Sequence, residues 1–219
     1  GIDIGATSIK AGVFRADGTL VGLASRPNGP KPQPGGQEGW LIWDAEEMWG
    51  KACECIREAT GKAPQGGQVV GVSVTGFGTD GTPMDEHGRQ LFPIISWHDS
   101  RCIAQRDWLN EKVGAYRIYE ITGYHNYPIN ALNRLVWLKE NAPEALEKCK
   151  HWLQVQDYIA FRLSGAYSTD CTIASTTMAL DLKRRSWSEE LLEAAGIDAS
   201  IFSPASEGGT KIGEVTRQA

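Results

Sequence analysis

Short apolar runs divided by turn residues fill the first 26 positions of the chain. Runs at the start of the chain, at 9–14 and at 20–25 predict three strands, and Asp17-Gly18 predicts a hairpin turn. Because the connections are short, the strands should be antiparallel neighbours. A longer run, "QVVGVSVTGFG" at 68–78, is continuously apolar, which predicts a single buried strand.

Helical spacing of apolar residues first occurs after Asp44. Asp44 is a candidate N-cap with Glu47 as its capping-box partner, and the predicted helix ends at Gly61. The segment 27–39, just before it, is rich in proline and glycine. It therefore predicts an irregular surface flap.

The remaining sequence alternates between strand and helix patterns. "GTPMDEHGRQLFPIISW" predicts two strands around a turn at 86–88, and the pattern becomes helical from Asp99 to Val113. Further helices are expected in "NALNRLVWLKENAPEAL", in "HWLQVQDYIAFRLSG" after a short strand, and in "SEELLEAAG". Gly165 is the expected C-terminal signal of the second of these helices. This order predicts an α/β fold with a mixed sheet.

Composition narrows the functional classes. The chain has 219 residues, 41% apolar and 22% charged, with a net charge of −5, so it lacks a nucleic-acid footprint. No apolar run approaches the ~20 residues of a membrane helix, and the start has no signal-peptide pattern. Five scattered cysteines without a CxxC pair argue against a zinc site and favour reduced thiols in the cytoplasm. The start without methionine suggests a piece of a longer protein.

The opening segment "GIDIGATSIKAGVF" is the first candidate site. Backbone N–H groups in a tight turn form a concave anion site, to which Thr7 and Ser8 add hydroxyls and Lys10 adds a cation. Asp3 suits a hydrated Mg²⁺, which keeps most of its waters and takes one or two carboxylates. The opening segment itself contains neither a Walker loop nor a GxGxxG motif. The alternative is a plain hairpin with a surface aspartate.

Two later segments are candidates for binding a sugar. In "TGFGTDG", at 75–81, the glycines allow close approach of a ligand and Asp80 could accept hydrogen bonds from two hydroxyls. In "SWHDSR", at 96–101, Trp97 could lie against a sugar ring, while Asp99 and Arg101 could bind hydroxyls or each other. The alternatives are a glycine turn with a capping Asp80 and a helix cap at Asp99.

Taken together, these segments resemble the FGGY carbohydrate kinases, members of the sugar kinase, actin and Hsp70 superfamily. "DIGATSIK" is similar to the family's first phosphate motif, and "GWLIWDAEEMW" to its flap and first helix. "VSVTGFGTDGTPMDEHGRQLFPIISWHDSR" resembles its sugar-binding segment, and later landmarks follow in order. The resemblance covers residues 1–219. It implies a ribonuclease H-like (actin/hexokinase/Hsp70-type) α/β domain, with a mixed sheet and flanking helices, as the N-terminal sugar-binding lobe.

The sugar itself stays open at this point. "TGFGTDG", "FPIISW" and "LVWLKENAPE" are most similar to the L-fuculose kinases of the family, followed by the rhamnulose kinases. "WHDSR" is shared more with the xylulose-type kinases. Glycerol kinases have an Arg-Glu pair where this chain has Gly78 and Thr79, which argues against glycerol.

The resemblance also implies site residues. The ATP-phosphate side would comprise Asp3, which would hold Mg²⁺ through water, together with Gly5, Ala6, Thr7, Ser8 and Lys10. The sugar side would comprise Gly78, Asp80, Trp97 and Asn130. A sugar hydroxyl would attack the γ-phosphate of ATP in line.

No catalytic residue is expected in this chain, because the family's general base is an aspartate that would lie beyond residue 219. The implied partners are a ketose or polyol and the protein's own C-terminal ATPase lobe, with no nucleic acid and no membrane; a homodimer stays open. The alternative function is a non-catalytic sugar-binding or regulatory relative of the actin-like superfamily.

Overall fold

The computed structural model describes residues 1–217 and 219. Its helices are α1 (Ala45–Lys62), α2 (Ile103–Val113), α3 (Ala115–Thr122), α4 (Ala131–Asn141), α5 (Pro143–Glu147), α6 (Val155–Ser164), α7 (Cys171–Ser175), α8 (Glu189–Ala195) and a 3₁₀ turn, Ala199–Ile201. Its strands are β1 (Ile2–Ile4), β2 (Ser8–Phe14), β3 (Leu20–Pro27), β4 (Lys31–Pro32), β5 (Leu41–Trp43), β6 (Val74–Gly76), β7 (Gly81–Met84), β8 (Ile94–Ile95), β9 (His151–Gln154), β10 (Thr169–Asp170), β11 (Leu180–Asp181), β12 (Ser186–Trp187) and β13 (Ala205–Ser206).

The main sheet has the strand order β3-β2-β1-β6. The first three strands are antiparallel neighbours, which confirms the prediction from the short connections. β6 adds to the other side of β1 in parallel, with Ile2 opposite Val74 and Ile4 opposite Gly76. The sheet is therefore mixed, as predicted.

The predicted buried strand at 68–78 is wrong for most of its length. Only Val74–Gly76 forms a strand, and Val70 is 94% exposed. Its pairing with β1 includes a hydrogen bond from the Ile2 N–H to the Ser73 carbonyl at 2.9 Å.

The first helix begins as predicted, because the Asp44 carboxylate accepts a hydrogen bond from the Glu47 N–H at 3.0 Å. The reciprocal half of the capping box is not formed: the Glu47 carboxylate instead pairs with Lys31 and Lys51. The helix ends at Lys62, one residue beyond the prediction.

Other sequence predictions need smaller corrections. The flap at 27–39 contains a short strand, β4, which pairs with β5. The two strands predicted around the turn at 86–88 are present as β7 and β8. An isolated bridge joins Met84 and Gln90 across the turn, while β7 pairs with β9 and β8 with β5. Gly165 ends α6 in the left-handed conformation, as predicted.

Two hydrophobic cores meet along β8 and β9. One core packs α1 and α6 against the main sheet, and the other joins α2, α3, α4 and α8. Alternate residues of β8 serve both cores, Ile94 the sheet core and Ile95 the helical core, as the two-residue period of a strand requires. Within the described residues, no helix combines the length and the apolar character needed to cross a membrane.

Among the described residues, Asp157 is a carboxyl group buried in the sheet core that forms no ion pair. Asp157, in the first turn of α6, is 5% exposed. Burial raises the pKa of Asp157 to about 7. A hydrogen bond from Thr169 opposes this effect, the nearby charge of Asp170 adds to it, and a hydrogen bond from the Gln154 backbone opposes it less. The folded chain therefore binds a proton at Asp157 more tightly than the unfolded chain does.

This proton affinity makes the stability depend on pH. Between about pH 4 and pH 7 the unfolded carboxyl is ionised while the folded one keeps its proton, so the free energy of unfolding should fall as pH rises. The change should be roughly 2–4 kcal/mol over that range. Asp157→Asn should flatten this dependence and raise the stability at pH 8.

Urea unfolding at half-unit steps from pH 5 to pH 8 measures both effects. Asp17→Asn is the control, because it removes a surface carboxyl whose pKa is lowered by Thr19 and which stays ionised over this range. Equal pH dependence of the wild type and Asp157→Asn would contradict the assignment.

Candidate functional site

The turn between β1 and β2 is closed by its own backbone. The Gly5 N–H donates to the Ser8 carbonyl at 3.0 Å, and the Asn28 side-chain amide donates to the Gly5 carbonyl at 2.9 Å. A Cβ atom on residue 5 would lie 2.6 Å from the Ser8 carbonyl oxygen. The turn therefore requires glycine at this position.

The side chains predicted to bind phosphate lie on or beside this turn. Asp3 and Lys10 face each other across β1 and β2 as a cross-strand pair. Lys10 and Thr7 are exposed, whereas Asp3 and Ser8 are partly buried. Within the described residues, neither Asp3 nor Lys10 has an ion-pair partner, so both charges are available to a ligand.

The single carboxylate at this turn, Asp3, suits a hydrated magnesium ion better than a zinc ion. The described residues contain no group of three His, Cys, Asp or Glu side chains placed to hold a metal. A hydrated Mg²⁺, which needs only one or two protein carboxylates, is compatible with Asp3 alone. A zinc ion would need three or four protein ligands.

The second predicted segment follows β6 and lies at the same edge of the sheet. β1 and β6 run parallel, and the Phe77 N–H donates to the Ile4 carbonyl at 3.1 Å. Because both strands end at this edge, the turn at 5–7 and the loop at 77–80 leave the sheet side by side. The carboxyl edge of parallel strands is where α/β proteins bind ligands.

Asp80 lies at the centre of a buried network in this loop. One carboxylate oxygen accepts hydrogen bonds from Arg134 Nη1 at 2.6 Å and from the Thr79 hydroxyl at 2.9 Å. The other accepts from the Trp43 indole at 2.5 Å and from the Trp97 N–H at 2.9 Å. The residue has no exposed surface. Its four acceptor positions are thus occupied by protein donors, and none is left for a sugar hydroxyl.

The other predicted sugar residues differ in access. Asn130 is also fully buried: its side chain accepts from the Tyr127 N–H and donates to the Thr176 carbonyl, so it joins two loops. Gly78 is partly buried beside Thr176. Trp97 is 39% exposed and stacks on His98 with ring centroids 3.7 Å apart. Gly78 and Trp97 are therefore the members of the set that a ligand can reach.

Asp99 and Arg101 bind each other. Arg101 donates two side-chain hydrogen bonds to the Asp99 carboxylate, and both side chains are buried. The guanidinium lies 4.1 Å from the ring centroid of Trp40 and also donates to Gln33, which ties the flap to the helical core. Asp99 is not the helix cap, because Cys102 precedes α2.

Sequence reasoning missed three residues of the network: Arg134, Thr79 and Trp43. Arg134 is 1% exposed on α4, within the apolar stretch "ALNRLVWL". A charge on an otherwise buried helix face indicates a buried partner, so this signal was present in the sequence. The backbone of Thr79, with φ of 73°, has no signal in the sequence.

Comparisons with known proteins match the whole chain. Residues 1–219 match the model described as "FGGY family of carbohydrate kinases, N-terminal domain". The chain is 34% identical over 218 residues to an L-fuculokinase of Escherichia coli K12, covering 100% of this chain and 46% of that protein. It is 29% identical to an autoinducer-2 kinase of Salmonella choleraesuis, with 100% and 41% coverage. The chain thus spans less than half the length of these relatives.

A solved structure agrees with the sequence comparisons. The xylulose kinase of Rhodospirillum rubrum superposes with a TM-score of 0.91 at 27% identity, covering 100% of this chain and 44% of that one. This similarity confirms the predicted actin/hexokinase-type fold.

The contact at Gly5 leads to a prediction on stability. Gly5→Ala should lower the free energy of unfolding by about 1–3 kcal/mol, since the new Cβ collides with backbone that cannot move without opening the turn. Gly50→Ala is the matched control of opposite sign: Gly50 is exposed within α1 with open space around it, so alanine should stabilise by about 0.5–1 kcal/mol. Chemical denaturation of both variants checks this, and a Gly5→Ala variant as stable as the wild type would contradict it.

Proposed function

This chain belongs to the FGGY family of carbohydrate kinases, and on that premise we propose that it is the sugar-binding part of an ATP-dependent kinase. The substrate class is a ketose or polyol, with an L-fuculose-like or xylulose-like sugar as the first candidate. The relatives named for L-fuculose and xylulose support this choice.

The parallel pairing of β1 with β6 is the observation that supports this function most directly. It places the turn that carries Asp3 and Lys10, which form no ion pair among the described residues, beside a glycine-containing loop at one sheet edge. Phosphoryl transfer needs a phosphate group and an acceptor hydroxyl held close together, because positioning supplies much of the rate. A phosphate-binding turn and a sugar-binding loop that leave the sheet side by side meet that need.

The two sides of the site would have different tasks. Lys10 and the hydroxyls of Thr7 and Ser8 would bind the phosphates of ATP, and Asp3 would hold Mg²⁺ through water. When bound, Mg²⁺ would neutralise phosphate charge. The exposed face of Trp97 would pack against the sugar ring, and Gly78 would let the sugar approach the backbone closely. The sugar hydroxyl would attack in line, and closure of a second lobe would complete the site.

A coupled ATP assay on the full-length protein, with a panel of ketoses and polyols, tests this function. We expect turnover with at least one ketose and none with glycerol. Sugar binding without turnover for any member of the panel would instead support the non-catalytic relative. No binding and no turnover would reject the proposal altogether.

The role of Asp3 leads to a separate prediction for the full-length protein. Asp3→Asn should lower kcat by at least about tenfold and change the sugar KM little, because it weakens charge stabilisation on the phosphate side alone. Asp17→Asn, in the exposed hairpin between β2 and β3, is the matched control and should leave both constants unchanged. Steady-state kinetics at saturating ATP and Mg²⁺ measure the split. A raised sugar KM with a normal kcat would contradict this role, because it would mean that Asp3 acts on the sugar and not on the phosphates.

A further inference from the structure

The buried network around Asp80 contains a strained residue. Thr79 is β-branched and has φ of 73°, in the left-handed region that favours glycine. Such a conformation costs about 1–3 kcal/mol and persists only where the surroundings hold it. Strain of this kind is concentrated at functional sites, and Thr79 lies between Gly78 and Asp80 in the proposed sugar loop.

Three hydrogen bonds hold Thr79 in this conformation. Its N–H donates to the Thr176 hydroxyl at 3.0 Å, and its own hydroxyl donates to Asp80 at 2.9 Å. Its carbonyl accepts from Arg134 Nη1 at 3.1 Å. Because Arg134 Nη1 also binds the Asp80 carboxylate, one guanidinium holds both the loop backbone and its carboxylate.

Asp80 connects this loop to the second sugar segment. Its second oxygen accepts from the N–H of Trp97, whose ring is partly exposed, and from the buried indole of Trp43. The Asp80–Arg134 pair is therefore covered. Trp97, which Asp80 holds, and Gly78, which is next to Thr79, are open to a ligand. The buried Asp80–Arg134 pair can therefore set the distance between Gly78 and Trp97 without contacting the ligand that they bind.

We propose that Asp80 and Arg134 are positioning residues of the sugar site, which hold Thr79 and Trp97 in place without touching the sugar. This proposal rests on the proposed function, because it assigns the sugar side of the same site. It replaces the expected direct contact between Asp80 and sugar hydroxyls. Arg134, on α4, becomes a determinant of sugar affinity that acts through the loop at 78–80.

The chain offers a matched control in its second buried aspartate–arginine pair. Arg101 and Asp99 have the same 2.6 Å separation as Arg134 and Asp80, and the side chains in both pairs are 1% and 0% exposed. The Asp99 pair ties the flap to the helical core and makes no hydrogen bond to residues 78–80. Arg134→Lys and Arg101→Lys therefore remove the same chemical group from equally buried pairs.

The experiment compares these two variants in the full-length protein. We expect both to lose stability to a similar degree in urea unfolding, since each loses a buried guanidinium. Only Arg134→Lys should raise the sugar KM, by at least about tenfold, with the ATP KM unchanged. Arg101→Lys should keep the sugar KM within about twofold of the wild type. Equal sugar KM values in the two variants would overturn the proposal.

A double variant separates positioning from stability even if Arg134→Lys does not fold. Asp80→Asn with Arg134→Gln neutralises both members, so no unpaired charge is buried and stability should recover relative to Asp80→Asn alone. Glutamine is too short to bind both the Asp80 position and the Thr79 carbonyl. The sugar KM should therefore remain at least about tenfold raised. Recovery of the sugar KM together with stability would show a purely structural pair.

Hydrogen–deuterium exchange without sugar distinguishes failure of this proposal from failure of the proposed function. In the double variant, exchange should become at least about tenfold faster at the amides of Thr79 and Trp97, with little change in α1. Unchanged exchange at both amides would overturn the positioning role. A wild-type protein inactive on every sugar would reject only the kinase, because the exchange measurement does not depend on turnover.

Discussion

The parallel pairing of β1 with β6 is the constraint on which the site depends. It joins segments about 70 residues apart in sequence and aligns their carboxyl ends within one residue, Ile4 opposite Gly76. This register places the turn at 5–7 beside the loop at 77–80. A shift by one residue would turn the β6 side chains to the opposite face of the sheet and displace the loop from the turn.

Around that edge, the chain uses buried charge to hold irregular backbone. Loops cannot complete their hydrogen bonds as strands do, so a buried loop needs side-chain partners. Asp80 and Asn130 supply them, each joining two segments that are distant in sequence. Burying a carboxylate and a guanidinium costs more than packing apolar groups of the same size. In exchange, the Asp80–Arg134 pair holds the loop in one specific geometry.

The two halves of the site differ in how many of their polar side chains already have partners within the protein. On the phosphate side, Asp3 and Lys10 are unpaired within the described residues and free to meet charged ligands. On the proposed sugar side, protein donors occupy the acceptor positions of Asp80, and the accessible groups are the face of Trp97 and the backbone near Gly78. Under the proposed function, this apolar surface and these backbone groups would orient a neutral sugar, and the exposed charge of Lys10 would bind phosphate.

Local patterns predicted local structure well. The antiparallel strands before residue 27, the cap at Asp44 and the helix end at Gly165 all follow from residues close in sequence. Prediction failed where a strand pairs with a segment that is distant in sequence. The strand predicted at 68–78 forms only at Val74–Gly76, and β7 takes as its partner β9, which is distant in sequence.

By itself, the sequence determined the fold class, the two candidate ligand-binding segments and the residue types available in each, because turns, caps and motifs are local chemistry. Only the tertiary structure decided which polar groups are free. Asp3 and Asp80 look alike in sequence, each an aspartate beside a glycine turn at a strand. Packing against Trp43, Trp97 and Arg134 buries Asp80 and occupies its acceptor positions, whereas Asp3 is partly buried between Lys10 and Thr75 on the neighbouring strands.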